Sequence, residues 1–289
     1  MDEYSALMIH IKKRMRYEAA EEQNLQIYLT KVAEQLNSLF VDSMVFPVIF
    51  GRHDELQGLF SSALSAASYF RLFEIMCYPV VITGGIGIGE WTVRMEEGTS
   101  AQQQGSAYDR AEDAIKTATK RKTQRLRIHS SKEDGMANYL LNVSKDMLSA
   151  QNSIQNRLQL IAEILYPFVE NMTWIRFENH GLKLLILKEN FEPAKQMVDK
   201  IAKVPEQTIS WKKNVYVQEP IFITGEKKEG EEAVILKNVS SNIAVIAKKS
   251  RQNVETIMKR GKLLTIRIMD YMALQYIKRY YLLNREKEK

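Results

Sequence analysis

The sequence predicts an α+β fold: an antiparallel sheet of the ferredoxin-like, palm type with helices, then a helical connector, a small α/β insert and a C-terminal helix-turn-helix. Three observations predict it. Apolar runs of strand length alternate with helical stripes through the first 134 residues. A charged tip, in GRHDELQGLF at 51 to 60, separates one apolar run from the next. Residues 239 to 261, VSSNIAVIAKKSRQNVETIMKRG, carry the spacing of two short helices that cross closely. The domains expected are a palm at 1–134, the connector at 135–173, the insert at 174–235 and the helix-turn-helix with a long final helix at 236–289.

Each element has its own signal. Tyr4 to Ile11 is mostly apolar and suits a buried strand. Leu25, Leu29, Val32, Leu36 and Leu39 recur at spacings of four and three, which lays one apolar stripe along a helix from about 18 to 41. Val45 to Phe50 is the second strand, and Pro47 pushes it toward a sheet edge. Beyond the charged tip, Phe60, Ala63, Ala67 and Phe70 keep helical spacing. Pro79 to Trp91 reads as a strand with Gly85, Gly87 and Gly89 on one face. Residues 98 to 105 have loop composition, Ser106 to Lys120 is helical, and Gln124 to Ile128 closes the sheet as an edge strand. Gly135 to Met172 reads as continuous helix. In the insert, the segments beginning at Ile175 and Val215 look like strands, with a helix at 192 to 203 between them and His180 in a turn. Lys262 to Leu283 is one long helix, with Leu264, Ile268, Tyr271, Met272, Leu274 and Ile277 inward.

Composition narrows the class. A chain of 289 residues, 45% hydrophobic and 26% charged, can bury a sizeable core. Its 41 bases against 35 acids leave room for an anionic partner without naming one. Cys77 is the only cysteine, which excludes an internal disulfide scaffold and a four-cysteine zinc site and suits a reducing cytoplasm. The opening MDEYSALM lacks a basic segment followed by an apolar core, and no run of about 18 apolar residues occurs. The chain is therefore expected to be unsecreted, cytoplasmic and not membrane-spanning.

Two adjacent carboxylates, Asp54 and Glu55, sit at the tip of the strand hairpin, the place where palm-type nucleotidyl transferases and cyclases hold Mg2+ against a triphosphate. The glycine stripe does not have the strand–turn–helix spacing of a dinucleotide-binding loop. Its alternate glycines leave one bare face, over which either a helix or the phosphate of a ligand could lie on Gly85, Gly87 and Gly89. From Lys116 to Lys132 there are seven Lys or Arg and no acid. These bases suit a solvated helix end and a guarded sheet edge, the alternative being an anion-binding patch.

HIKKRM at 10 to 15, HDELQGLF at 53 to 60, GGIGIGEW at 84 to 91 and GSAYDRAEDAI at 105 to 115 occur in the order and spacing of the SatD family. The chain resembles that family over residues 1 to about 130 and again at its C-terminus. The resemblance implies a palm related by fold to GGDEF domains and class III cyclases. It departs at the polar positions: His10 stands where the family has Asp, Arg14 for Ser, His53 for Gly, Gln104 for Asp, Ser106 for Pro and Glu112 for Arg. Loss of the first-strand carboxylate implies a retired transferase site, because imidazole is a poor Mg2+ ligand. Imidazole does suit Zn2+, Mn2+ or Fe2+, so His10, His53, Asp54 and Glu55 form a candidate divalent metal site.

In the C-terminal unit, Ala244 and the branched Val254 are ten positions apart, the separation of the crossing point in a helix-turn-helix. Ile243, Ala247 and Ile257 fill the remaining inward places, and Ser250 is the expected N-cap of the recognition helix RQNVETIMKR. Lys248 occupies the turn position usually given to glycine. Arg251, Gln252, Asn253, Thr256, Lys259 and Arg260 face outward, residue types that read base edges near a helix start and hold phosphate further along. With Ser250 they are the candidate residues for double-stranded DNA. Three functions compete: a DNA-binding regulator whose inactive palm senses a ligand such as a nucleotide or dimerises, a metal-dependent enzyme acting on a nucleotide or phosphate ester, and a structural adaptor. The apolar breadth of the last helix is the argument for a homodimer.

Overall fold

The computed structural model describes residues 3–12, 19–51, 55–95, 98–121, 124–171, 174–190, 215–226 and 231–283. The first strand, β1 (Tyr4–Ile11), lies at the centre of a five-stranded sheet in the order β2-β3-β1-β4-β5, with β2 (Met44–Phe50), β3 (Glu55–Phe60), β4 (Ile82–Gly89) and β5 (Leu126–His129). β1 runs antiparallel to both β3 and β4, as the interleaved βαββαβ plan requires. The predicted edge position of the Pro47 strand holds: β2 pairs with β3 alone.

Two helices, α1 (Ala19–Leu39) and α2 (Ala63–Cys77), cover one face, where the odd residues Leu7, Ile9 and Ile11 of β1 join the α1 stripe in the core. The third, α3 (Ser106–Lys120), lies on the other face against Ala6. β5 departs from the antiparallel expectation: it is parallel to β4, because α3 carries the chain back across the sheet before β5 begins. β4 runs in the same direction as β3, and α3 lies opposite α2. The β4–α3–β5 connection therefore has the opposite hand to β3–α2–β4, and one of these two hands is the rare one.

The outer edge of β5 is closed by asparagine. Two such residues one helical turn apart on α4 (Gly135–Val143) mimic a neighbouring strand. Asn142 Oδ1 accepts from the Arg125 and Leu126 amides (2.7 and 3.3 Å) and its Nδ2 donates to Leu126 O (2.8 Å). Asn138 pairs in the same way with Ile128 N and O (2.6 and 3.0 Å). Here the edge is guarded by α4, where the sequence suggested lysine and arginine, since side-chain amides satisfy the ladder groups directly.

The connector is divided where the sequence suggested one helix. Ser144 ends α4, and α5 (Lys145–Ser149) and α6 (Ser153–Leu165) follow, α6 opening with Asn152 and Gln155 as a reciprocal capping box. The predicted first strand of the insert is a helix, α7 (Trp174–Asn190), with Phe177, Gly181, Leu184, Leu185 and Lys188 buried at helical spacing. His180 is thus in mid-helix, its Nδ1 3.3 Å from Gln35 Oε1 on α1, and not in a turn. The predicted helix at 192 to 203 lies outside the described residues. Among the described residues of the second predicted strand, only β7 (Ile221–Phe222) forms, parallel to β6 (Phe168–Val169).

The last helices are α8 (Val239–Ala247), α9 (Arg251–Arg260) and α10 (Leu263–Ile277), which continues as a π-helical stretch over Lys278–Leu283. α10 lies against α2, α4 and α9, which cover its inward side. Leu263 and Ile266 take inward places expected of Leu264 and Met272, which are 41% and 39% exposed. Leu264 and Met272, about two turns apart, leave apolar area on the outer side of α10. Among the described residues no helix is long and apolar enough to cross a membrane.

Candidate functional site

At the end of the sheet, register brings His10 of β1 opposite Glu55 of β3 and Thr83 of β4. His10 Nδ1 lies 3.9 Å from Glu55 Oε1, beyond hydrogen-bond reach, and both side chains are partly open to solvent. His53 and Asp54, the other two candidate metal ligands, lie outside the described residues. Among the described residues no group of three or more His, Cys, Asp or Glu is placed to hold a metal ion. On α3, Lys116 binds Glu112 at 2.6 Å; that hydrogen bond, with a smaller effect from Glu55, pushes its amine up.

The bare face of β4 is occupied by α3. A β-carbon on Gly85 would come within 2.5 Å of Ala111 O, and one on Gly87 within 2.0 Å of Ala107 O and 2.2 Å of Ala111 N. Gly89 would meet Ser106 Oγ at 2.4 Å. The helix answers with its own small residues, Ala107, Ala111, Ala114 and Ala118, all buried. Of the two occupants the stripe allowed, the helix is the one present, so Gly85, Gly87 and Gly89 offer no surface to a ligand: backbone already fills the space a phosphate would need.

The C-terminal unit is built as its sequence suggests. Ala244 and Val254 are both buried, Val254 completely. Lys248 adopts the left-handed conformation (φ 51°, ψ 46°) of the glycine it replaces, and its amide closes α8 on Ala244 O. Ser250 turns extended and its Oγ accepts from Asn253 N at 3.3 Å, capping α9. That oxygen is therefore engaged in shaping the helix. No family model, curated protein or solved structure matches this chain.

Outward on α9, Arg251, Gln252, Asn253, Thr256, Lys259 and Arg260 are all exposed. Two of them carry ties that spacing did not reveal. Arg251 Nε donates to Glu255 Oε1 at 2.7 Å, and Glu255 also accepts from Ser240 on α8 at 3.0 Å. These bonds, that from Arg251 foremost, hold the Glu255 carboxyl below its usual range. Thr256 returns its hydroxyl to Gln252 O at 2.9 Å. Gln252 and Asn253 head the helix, with Lys259 and Arg260 at its far end. Between Lys248 and Lys262 there are six bases and one acid.

A second polar cluster, in the interior, was not legible in the sequence. Arg71 of α2 donates to Glu163 of α6 and to Asp270 of α10, both at 2.5 Å. Arg267 of α10 binds the other Glu163 oxygen at 2.6 Å. Ser144 Oγ donates to Asp270 and Gln159 Nε2 to Glu163. Burial works against ionisation of Glu163, but Arg267 and Arg71 outweigh it and hold the carboxyl below its usual range. For Arg71 the two carboxylates likewise overcome burial and raise the guanidinium. The four charges balance, two against two.

Proposed function

We propose that this chain is a DNA-binding regulatory protein of SatD type, with α9 as its recognition helix and the β1–β5 unit as a palm that no longer transfers nucleotides. The observation that carries this reading is the α8–turn–α9 unit: a left-handed Lys248, a capped α9, and an exposed face rich in amide and basic side chains. Gln252 and Asn253, at the helix start, are the candidates for base edges, and Lys259, Arg260 and Lys262 for phosphates. Arg251, tied to Glu255, serves better as a phosphate contact than as a bidentate reader of guanine. The palm's regulatory role, sensing a ligand or pairing two copies, belongs to the same proposal.

Retention on generic duplex DNA tests it. With four or five bases on phosphate, the logarithm of the binding constant should fall by roughly 4 per tenfold rise in salt. Lys259→Ala should weaken binding to every sequence and flatten that slope, whereas Asn253→Ala should act mainly on a selected site. Absence of retention at low salt would remove DNA and leave a protein-facing adaptor. The enzyme reading draws on the placement of His10 beside Glu55. Metal-dependent turnover of ATP or GTP that disappears in Asp54→Ala would put it first.

A further inference from the structure

A cavity of about 340 Å3 opens beside the start of α2, at the small end of the roughly 300 to 1,000 Å3 usual for ligand pockets. Five serines line it, at 43, 61, 62, 65 and 68. Its floor is apolar, with Leu39, Phe168 and Phe177 buried there. Asp42 and Glu170 are the charged groups of its wall, and none of its described lining residues is basic.

A helix start alone would favour an anion. Here the first turn already has its acceptors: Ser65 N donates to Ser62 Oγ at 3.1 Å and Ala66 N to Ser62 O at 3.2 Å. Of the two carboxylates, Glu170 sets the opposite preference. Asp42 is held from outside by Arg176, both oxygens bonded at 2.8 and 2.6 Å. Glu170 is tied more loosely, 3.4 Å from Lys278, and keeps acceptor capacity toward the cavity. A primary ammonium has three donors, and a carboxylate with neighbouring hydroxyls supplies the acceptors they need, whereas an anion would need donors.

We propose that this cavity binds a small organic amine with an apolar body and acts as the effector site of the helix-turn-helix. The effector half rests on the DNA reading above. Its basis is Phe168. The ring that floors the cavity also receives the guanidinium groups of Arg71 and Arg267, at 4.6 and 4.5 Å from its centroid. Arg267 belongs to α10, and Arg71 bonds Asp270 there; α10 follows α9 after two residues. A ligand against Phe168 therefore presses on residues that hold α10, the helix that packs against α9.

Three probes of one shape and different charge test this on the full chain: 2-phenylethylamine, 2-phenylethanol and phenylacetate. At about ten times its Kd the amine should raise the melting temperature by roughly 2 to 5 °C, the alcohol less and the carboxylate not at all. Ser68→Phe, which fills the cavity, should abolish the shift. Glu170→Gln should weaken the amine about tenfold and leave the alcohol within about twofold, which keeps the test sound if the filled variant does not fold. Equal shifts for all three probes, no shift with any, or an amine indifferent to Glu170→Gln would overturn the site. DNA retention that the amine changes in the parent but not in Glu170→Gln supports the effector half, and retention unmoved by the amine overturns it. The amine-first order of shifts with no DNA retention under any condition would leave the site standing and sink the DNA reading instead.

Discussion

Charged side chains gather in two places that behave oppositely. At the sheet end, His10 and Glu55 are partly open to water and stand 3.9 Å apart, beyond hydrogen-bond reach. In the interior, Arg71, Glu163, Arg267 and Asp270 are all but excluded from water and bonded at 2.5 to 2.6 Å. The first sits where the palm resemblance places chemistry, yet it lacks tight geometry. The second lies away from that sheet end, and it ties a palm helix, the connector and the final helix together. Electrostatic order in this molecule is concentrated in its assembly.

The largest test of that contrast is Arg71→Met. Removing one partner of a buried network leaves Asp270 without its base and Glu163 with Arg267 alone, which costs about 3 to 5 kcal/mol. Denaturant unfolding should show it, and the double variant with Asp270→Leu should recover part of the loss. A cost below about 1 kcal/mol would mean that the network is solvated and the contrast false.

Gly87→Ala comes next, at about 3 kcal/mol, because the new carbon meets the α3 backbone at 2.0 and 2.2 Å and neither atom is the movable end of a side chain. Melting temperatures of parent and variant decide it. An unchanged value would mean that α3 does not lie on this face, reopening it to a ligand.

The palm half was readable because its signals are local. Alternation in β1, the three- and four-residue spacing in α1 and the glycine stripe each lie within one element. Lys248 was readable for the same reason: one backbone position demands a left-handed residue wherever that turn forms. The α7 segment reads as a strand because Ile175, Phe177 and Ile186 are strand-prone types, although Phe177, Gly181, Leu184 and Lys188 hold the helical period. The interior network could not be read at all. Its residues come from three helices, and a lone Arg71 in an apolar helix gives no hint of Asp270, 199 positions away.

Lys188 shows the same dependence on distant partners, and it supplies a pH test of intermediate size. From α7 its amine reaches the carbonyls of Ile75, Met76 and Tyr78 at 3.0, 2.9 and 2.8 Å, closing an α2 end that has no base in its own last turn. Burial pushes this amine down to about 7, against 10.5 in an exposed lysine. Between those values the unfolded chain binds the extra proton, so stability should rise as pH goes from 7 to 10. Lys188→Met should flatten the rise. A parent profile already flat would show that the three carbonyls hold the proton in spite of burial.

The smallest expected effect bears on the sheet end. His10→Ala should change stability by no more than about 0.5 kcal/mol, since a partly exposed imidazole 3.9 Å from its carboxylate contributes little in water. Added Zn2+ or Mn2+ makes the measurement decisive. A resident metal on His10 would stabilise the folded chain in proportion to the logarithm of its concentration over Kd, and the substitution would remove that gain. If parent and variant melt together with and without the ion, the sheet end carries no metal function and the asymmetry with the interior network stands. If the ion raises the parent alone, His10 and Glu55 belong to a metal site completed by residues such as His53 and Asp54, and the enzyme reading displaces the retired palm.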